Sequence, residues 1–210
     1  MPPDFVYLRD IDPTIQQDMR YAGANNFTGQ SVPGYYTPEC VLVRQAAEAL
    51  KRVQADLNTK GLSLRVYDCY RPARSVAAFV AWAKRQDDAR AKAHYYPRLD
   101  KTALFPDYIA TRSGHSRGAT IDATLVMLNT PVEGIESEMQ APCTAPQPGH
   151  AADGSLSMGT SFDCFDVKAN TAASGLSKEE NDNRAALTGA MRSHGFQNYP
   201  LEWWHYTLCA

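Results

Sequence analysis

Ser113-Gly114-His115-Ser116-Arg117-Gly118-Ala119-Thr120-Ile121-Asp122 is the stretch from which the rest of the chain becomes readable. Ser116-Arg117-Gly118 has the composition of a turn. After it, Thr120, Asp122 and Thr124 alternate with Ile121, Ala123 and Leu125, the period of a strand with one polar and one apolar face. Asp122 therefore projects from the polar face, and the turn can bring His115 back to it. A distant segment, Glu202-Trp203-Trp204-His205, offers a second imidazole and a second carboxylate. Two imidazoles and a carboxylate suit a catalytic zinc ion, which takes three N/O protein ligands and leaves its fourth position to water. The cation lowers the pKa of that water to about 7 and makes it a nucleophile near neutral pH. The pattern assigns His115, Asp122 and His205 to one Zn2+ per chain, with Glu202 as the base. A lone His is more often a surface or hydrogen-bonded structural residue. It is the combination that core packing fails to explain.

Leu201 to Leu208 is aromatic and has the pattern of a strand. A straight strand places Glu202 and His205 on opposite faces, because three residues is odd parity. If both serve one metal, the chain bends or bulges near Glu202, where Pro200 makes a bend feasible.

Upstream, Leu64, Val66 and Asp68 alternate with Ser63, Arg65 and Tyr67, a strand that runs into Tyr70-Arg71-Pro72. Pro72 biases Arg71 away from the α region, so its side chain can be aimed from an extended backbone. A fixed guanidinium suits a carboxylate or a developing oxyanion; the alternative is a surface ion pair. Residues 38–60 carry the clearest helix signal. Thr37 is suited to the N-cap and Pro38 to the first position, Leu42, Ala46, Leu50, Val53 and Leu57 make one apolar face, and Gly61 supplies the stop. A second helix is expected over 74–91, with Val76, Phe79, Val80, Trp82 and Ala83 inward. The stretch 94–112 is irregular, and its His94 reads as structural.

Residues 129–160 hold Pro131, Pro142, Pro146 and Pro148 with Gly134, Gly149, Gly154 and Gly159, which excludes a regular core element. So long a loop is functional or disordered, and it could wall off one side of the site; its His150 reads as solvent-exposed. It ends near Asp163, which could pair with a substrate ammonium or cap a turn. Ser177-Lys178-Glu179-Glu180 is a capping box opening a helix through about 193, closed by Gly195, with His194 placed to favour the helix dipole. At the N-terminus a short helix or turn is expected around 13–20, followed by an irregular segment to residue 36. That segment either lines the site or only covers the core.

The 210 residues suit one domain, 1–210, with a loop insertion at about 129–157. The elements make an α+β chain: a central antiparallel sheet, helices packed on it, and the zinc site on the sheet. A net charge of −2 gives no footprint for nucleic acid. No apolar run approaches the ~18 residues of a membrane span. Asp4, Arg9, Asp10 and Asp12 leave no signal-peptide core. The expectation is the bacterial cytoplasm, or the periplasm if a leader was removed. Of the five cysteines, Cys40, Cys69, Cys143, Cys164 and Cys209, none forms a C-x-x-C pair, which argues against a thiolate zinc site. An odd count leaves a free thiol. Cys143 and Cys164 could bridge in an oxidising compartment, and small buried hydrophobes is the reading for most of the others.

The Ser113–Asp122 motif, Glu202-Trp203-Trp204-His205 and Tyr70-Arg71-Pro72 resemble the D-alanyl-D-alanine dipeptidases of the VanX type. So do Asp18-Met19-Arg20-Tyr21, Asn26-Phe27-Thr28-Gly29 and Met158-Gly159-Thr160, and the similarity covers nearly the whole chain. These are zinc peptidases sharing a fold with D-Ala-D-Ala carboxypeptidases and the hedgehog signalling domain. The resemblance implies His115, Asp122 and His205 as zinc ligands, Glu202 as general base and acid, and Arg71 as stabiliser of the carbonyl or transition state. It further implies Ser113, Tyr21 and Asp163 as contacts to a small D,D-dipeptide. Two other readings remain: a D,D-carboxypeptidase on longer wall peptides, and a zinc-stabilised binding module without catalysis. The insertion looks longer than the family's loop, which bears on how strictly the site is limited to a dipeptide.

Overall fold

The computed structural model describes residues 2–131, 141–146 and 153–209. The expectations for His150, and for the insertion as a wall of the site, fall largely outside these residues. The described elements run as follows: β1 (Phe5–Tyr7), α1 (Leu8–Ile11), β2 (Gln16–Gln17), β3 (Val41–Val43), α2 (Arg44–Asn58), β4 (Leu62–Asp68) and α3 (Ala73–Ala83). Then come α4 (Ala89–Tyr95), β5 (Thr120–Met127), α5 (Lys178–Ser193), β6 (Phe196–Asn198) and β7 (His205–Leu208). Among the described residues no helix is long and apolar enough to cross a membrane.

Five strands form one sheet in the order β2-β4-β5-β7-β6. Every pairing in it is antiparallel except the two-residue edge contact of β2 with β4, which is parallel. The α+β reading with a central sheet therefore holds. α2 packs on the sheet through Ala46, Leu50, Val53 and Leu57, all buried. β4 and β5 are buried on both faces, so their alternation separates two packed layers rather than core from water. Arg65 is almost wholly buried there; its guanidinium donates to Gln16 Oε1 and to the backbone carbonyl of Asp153.

The structure corrects several boundaries. The helix expected from Thr37 and Pro38 begins at Arg44, and the N-cap position is Val43, with no side-chain cap. Val41–Val43 is instead a strand, paired antiparallel with Phe5–Tyr7. Two β-branched residues beside a free strand favour cross-strand pairing over another helical turn. The helix expected over 74–91 is two helices, because the chain turns after Lys84 and Asp88 caps the second by accepting from the N–H groups of Arg90 and Ala91. At the N-terminus the helix lies at Leu8–Ile11, not around 13–20, and Arg20–Ala22 is a 3-10 turn. The capping box at Ser177 and Glu180 is present as expected. His194 ends α5, and its Nε2 sits 2.7 Å from Asp56 Oδ2. The Cys143–Cys164 bridge is formed. Cys40 and Cys69, expected to be simple buried hydrophobes, are bridged as well, leaving Cys209 free and exposed.

The last run is a strand only from His205. Before it the chain turns: Glu202 N–H donates to Tyr199 O at 3.1 Å and His205 N–H to Glu202 O at 3.3 Å. This is the bend that a shared site for Glu202 and His205 requires.

Candidate active site

Strand register builds the centre. Asp122 on β5 lies opposite Asp68 on β4 and opposite His205 on β7. Directly paired residues project from the same face, so three side chains far apart in sequence share one face of the sheet. His115 reaches them from the 3-10 turn Gly114–Arg117, where Ser113 Oγ accepts the His115 N–H at 3.3 Å. Gly118 closes that turn at φ +75°, and a Cβ there would come within 2.3 Å of the Phe5 ring. Both the backbone conformation and the space demand glycine.

His115 is fully buried, and its Nδ1 lies 2.8 Å from the Cys69 carbonyl oxygen. A carbonyl only accepts, so Nδ1 carries the proton and Nε2 presents a lone pair. That Nε2 is 3.3 Å from Asp122 Oδ1 and 3.4 Å from His205 Nδ1, and His205 Nδ1 is 3.1 Å from Asp122 Oδ1. Zinc bonds of about 2.0–2.1 Å in a tetrahedron put neighbouring ligand atoms about 3.3 Å apart, which is the separation of these three atoms. Asp122 Oδ1 is buried and receives no well-aligned hydrogen bond despite both ring nitrogens nearby. Three ligand atoms at these separations around a common point fit a cation there. The expected triad is thus brought together, and these residues fit a metal ion.

The electrostatics agree. Burial alone disfavours the Asp122 carboxylate, but His115 and then His205 outweigh it and hold its pKa well below the usual range. For His205, burial works against the charged ring, yet the neighbouring carboxylates of Asp122 and Glu202 push it up to about 10. The site favours positive charge, as a cation centre must.

Glu202 Oε2 is 3.3 Å from His205 Nδ1, so the bend does put this carboxylate at the triad. Arg71 is also there. Its Nε and Nη2 donate to Asp68 Oδ2 at 2.9 and 2.7 Å, its Nη2 is 3.7 Å from Asp122 Oδ2, and its guanidinium lies over the rings of Phe79 and Tyr21. Burial opposes its charge, but Asp68, together with Tyr21, Tyr35 and Asp122, outweighs it and raises its pKa well above the ordinary value. Asp68 itself is fully buried; it accepts from Tyr35 Oη at 2.6 Å and from the Cys69 N–H at 2.9 Å. The sequence pattern gave Asp68 only a place in the strand alternation. Its spacing from Arg71, with Pro72 behind, was the available signal.

Glu202, Arg71, Asp122 and His205 line a cavity of about 250 Å³ together with Ser113, Tyr21 and Asp163. All three expected dipeptide contacts therefore reach it. Tyr21 donates its hydroxyl to Asp163 Oδ2 at 2.8 Å. Asp163 is buried at a left-handed φ of 59°. Burial, reinforced by repulsion from Asp122, raises its pKa well above the ordinary carboxylate value. The irregular N-terminal segment does line the site, through Tyr21 and Phe27. His94 is structural as expected: it is buried and its Nδ1 bonds the Ala141 carbonyl.

Two strands and a 3-10 turn thus bring a candidate metal triad, a carboxylate and a guanidinium to one pocket. The chain belongs to the M15 peptidase family described as D-ala-D-ala dipeptidase, whose family model matches residues 1–133 and 150–210. It is 36% identical over 205 residues to the D-alanyl-D-alanine dipeptidase of Enterococcus faecium, covering 97% of this chain and 91% of that protein. Its identity to the D-alanyl-D-alanine dipeptidase of Streptomyces coelicolor is 35% over 209 residues, 99% of this chain and 93% of that one. The enzyme of the same name from Escherichia coli is 26% identical over 208 residues, 98% and 84% of the two chains. The unmatched residues between 133 and 150 fall within the segment expected to be an insertion.

Proposed function

We propose that this chain hydrolyses D-Ala-D-Ala to two molecules of D-alanine with one zinc ion held by His115, Asp122 and His205. The observation that carries the reading is the set of 3.1, 3.3 and 3.4 Å separations among the three ligand atoms, in a cavity that also holds Glu202 and Arg71. When bound, zinc supplies an acidified water and polarises the scissile carbonyl. Glu202 takes the proton from the attacking water and later delivers it to the leaving amine. Arg71, braced by Asp68, stabilises the developing oxyanion, a contribution of about 3 kcal/mol to the barrier. Among the described residues Asp163 makes no ion pair, so an incoming ammonium relieves its raised pKa and gives the dipeptide's amino end a partner. Tyr21 orients that carboxylate, and Ser113 is a further dipeptide contact.

A carboxypeptidase on longer wall peptides fits less well, because the cavity, about 250 Å³, is small. A non-catalytic module needs neither Glu202 nor Arg71. The reaction belongs to wall-precursor or peptidoglycan metabolism, with glycopeptide resistance as one consequence of removing the dipeptide. The two disulfides favour an oxidising compartment such as the periplasm over the cytoplasm. The test is a panel of L,L, L,D, D,L and D,D dipeptides with and without chelator. Selective, chelator-sensitive turnover of D-Ala-D-Ala is expected. Equal rates on the L,L form, or turnover only of a wall pentapeptide, would overturn the reading.

A further inference from the structure

A free dipeptide carries an ammonium at one end and a carboxylate at the other, and the mechanism above gives a partner only to the first. Two arginines line the catalytic cavity, Arg71 and Arg112. Arg71 is committed: both its Nε and its Nη2 are bonded to Asp68, and Asp122 stands beside it. Arg112 is exposed, and among the described residues no acid pairs with it.

The position of Arg112 is informative. With Ser113, Gly114 and Val76 it lines both the catalytic cavity and an adjoining cleft of about 470 Å³. Arg117, Ser116 and Thr111 are further walls of that cleft, and no Asp or Glu is among its described lining residues. Asp163 is at the other boundary, where the cavity meets a void of about 30 Å³, room for about one water. The catalytic cavity thus has Asp163 on the side of the small void and Arg112 on the side of the wider cleft, with Asp107 also in its wall. Arg112 is also well mounted. The next residue, Ser113, accepts the N–H of His115, so the backbone beside Arg112 is tied to a residue of the triad.

We infer that Arg112 binds the terminal carboxylate of the substrate, fixing its polarity with the ammonium at Asp163 and the carboxylate at the cleft. This rests on the dipeptidase reading. The planar guanidinium fork matches a carboxylate in two parallel bonds. The contact is made equally in ground and transition states, so it acts on KM and leaves kcat nearly unchanged.

The experiment compares wild type, Arg112→Ala and Arg112→Lys on D-Ala-D-Ala and on its C-terminal amide, with melting temperatures to check folding. Arg112→Ala is expected to raise KM for the free acid about tenfold, the low end for a charge-assisted bond because the site is open to water. Its kcat should stay within about twofold, Arg112→Lys should recover part of the loss, and kcat/KM on the amide should be the same in all three proteins. An unchanged KM on the free acid would overturn the inference. So would an equal loss on acid and amide. If the wild type itself leaves D-Ala-D-Ala intact, the dipeptidase reading fails and this inference with it; wild-type turnover unaffected by Arg112→Ala sinks the inference alone.

Discussion

Asp68 and Arg71 are joined by two bonds to a single carboxylate oxygen, Nε to Oδ2 at 2.9 Å and Nη2 to Oδ2 at 2.7 Å. The pair lies at the end of a buried strand, and Asp68 is the residue opposite Asp122 across the sheet. Asp68 therefore holds the guanidinium, and it is not among the described residues that line the cavity. Asp68→Asn keeps the shape and removes the charge. It is expected to lower kcat about 100-fold, the scale of losing an oxyanion donor, while zinc content stays at one per chain. Kinetics with metal analysis check this; unchanged kcat would show that Arg71 is held well enough by Phe79 and Tyr21.

The role proposed for Glu202 is proton transfer, so Glu202→Gln should separate chemistry from metal binding. The amide fills the same space beside His205 but is not a base. The expected result is a fall in kcat of at least about 100-fold, within the 10²–10⁴ range of general acid–base catalysis, with zinc retained. Wild-type turnover in zinc-loaded Glu202→Gln would remove Glu202 as the base.

A proton and a metal ion compete for His205 Nδ1. In the metal-free protein the neighbouring carboxylates of Asp122 and Glu202 outweigh the cost of burial and push the pKa of this ring up to about 10. Metal binding needs the neutral ring, so loading at pH 8 releases a proton. Apparent zinc affinity should then rise with pH, about tenfold per unit below 10 for this one group. Calorimetry in buffers of different ionisation heat measures the proton directly. Binding with no proton released at pH 8 would contradict the assignment.

Cys69 connects two functions. It is bridged to Cys40, its carbonyl accepts from His115 Nδ1, and its N–H donates to Asp68. The oxidised protein should show one reactive thiol, Cys209, whether folded or denatured. Replacing Cys40 with Ser should lower unfolding free energy by about 3–4 kcal/mol from loop closure, and weaken zinc binding because the carbonyl that fixes the His115 tautomer is less firmly placed. Denaturant melts and thiol counting test both; five thiols in the unreduced protein would exclude the bridges.

The metal residues were legible in the sequence because the information is local: a turn, a strand of period two, and an acid three residues before a histidine. Parity required a bend near Glu202 if it and His205 share one site, and the chain does turn there. What local pattern could not carry was pairing between distant segments. Thr37 and Pro38 make a good helix start, yet Val41–Val43 found a partner in Phe5–Tyr7. The polar stretch Lys84–Asp88 passes for a solvated helix face, and only the cap formed by Asp88 shows the break. Cys40 and Cys69 lie 29 residues apart with nothing in their spacing to join them. Asp68 looked like one more alternating residue, because its role comes from what β5 sets beside it.

The most direct measurement is zinc content and D-Ala-D-Ala turnover of the same preparation before chelation, after exhaustive chelation, and after adding back one equivalent of zinc. The proposed function predicts one zinc per chain, loss of activity on removal, recovery on restoration, and no stoichiometric binding in Asp122→Ala. Full turnover from protein stripped of metal, or one tightly held zinc in Asp122→Ala, would contradict the assignment of His115, Asp122 and His205 as the catalytic metal site.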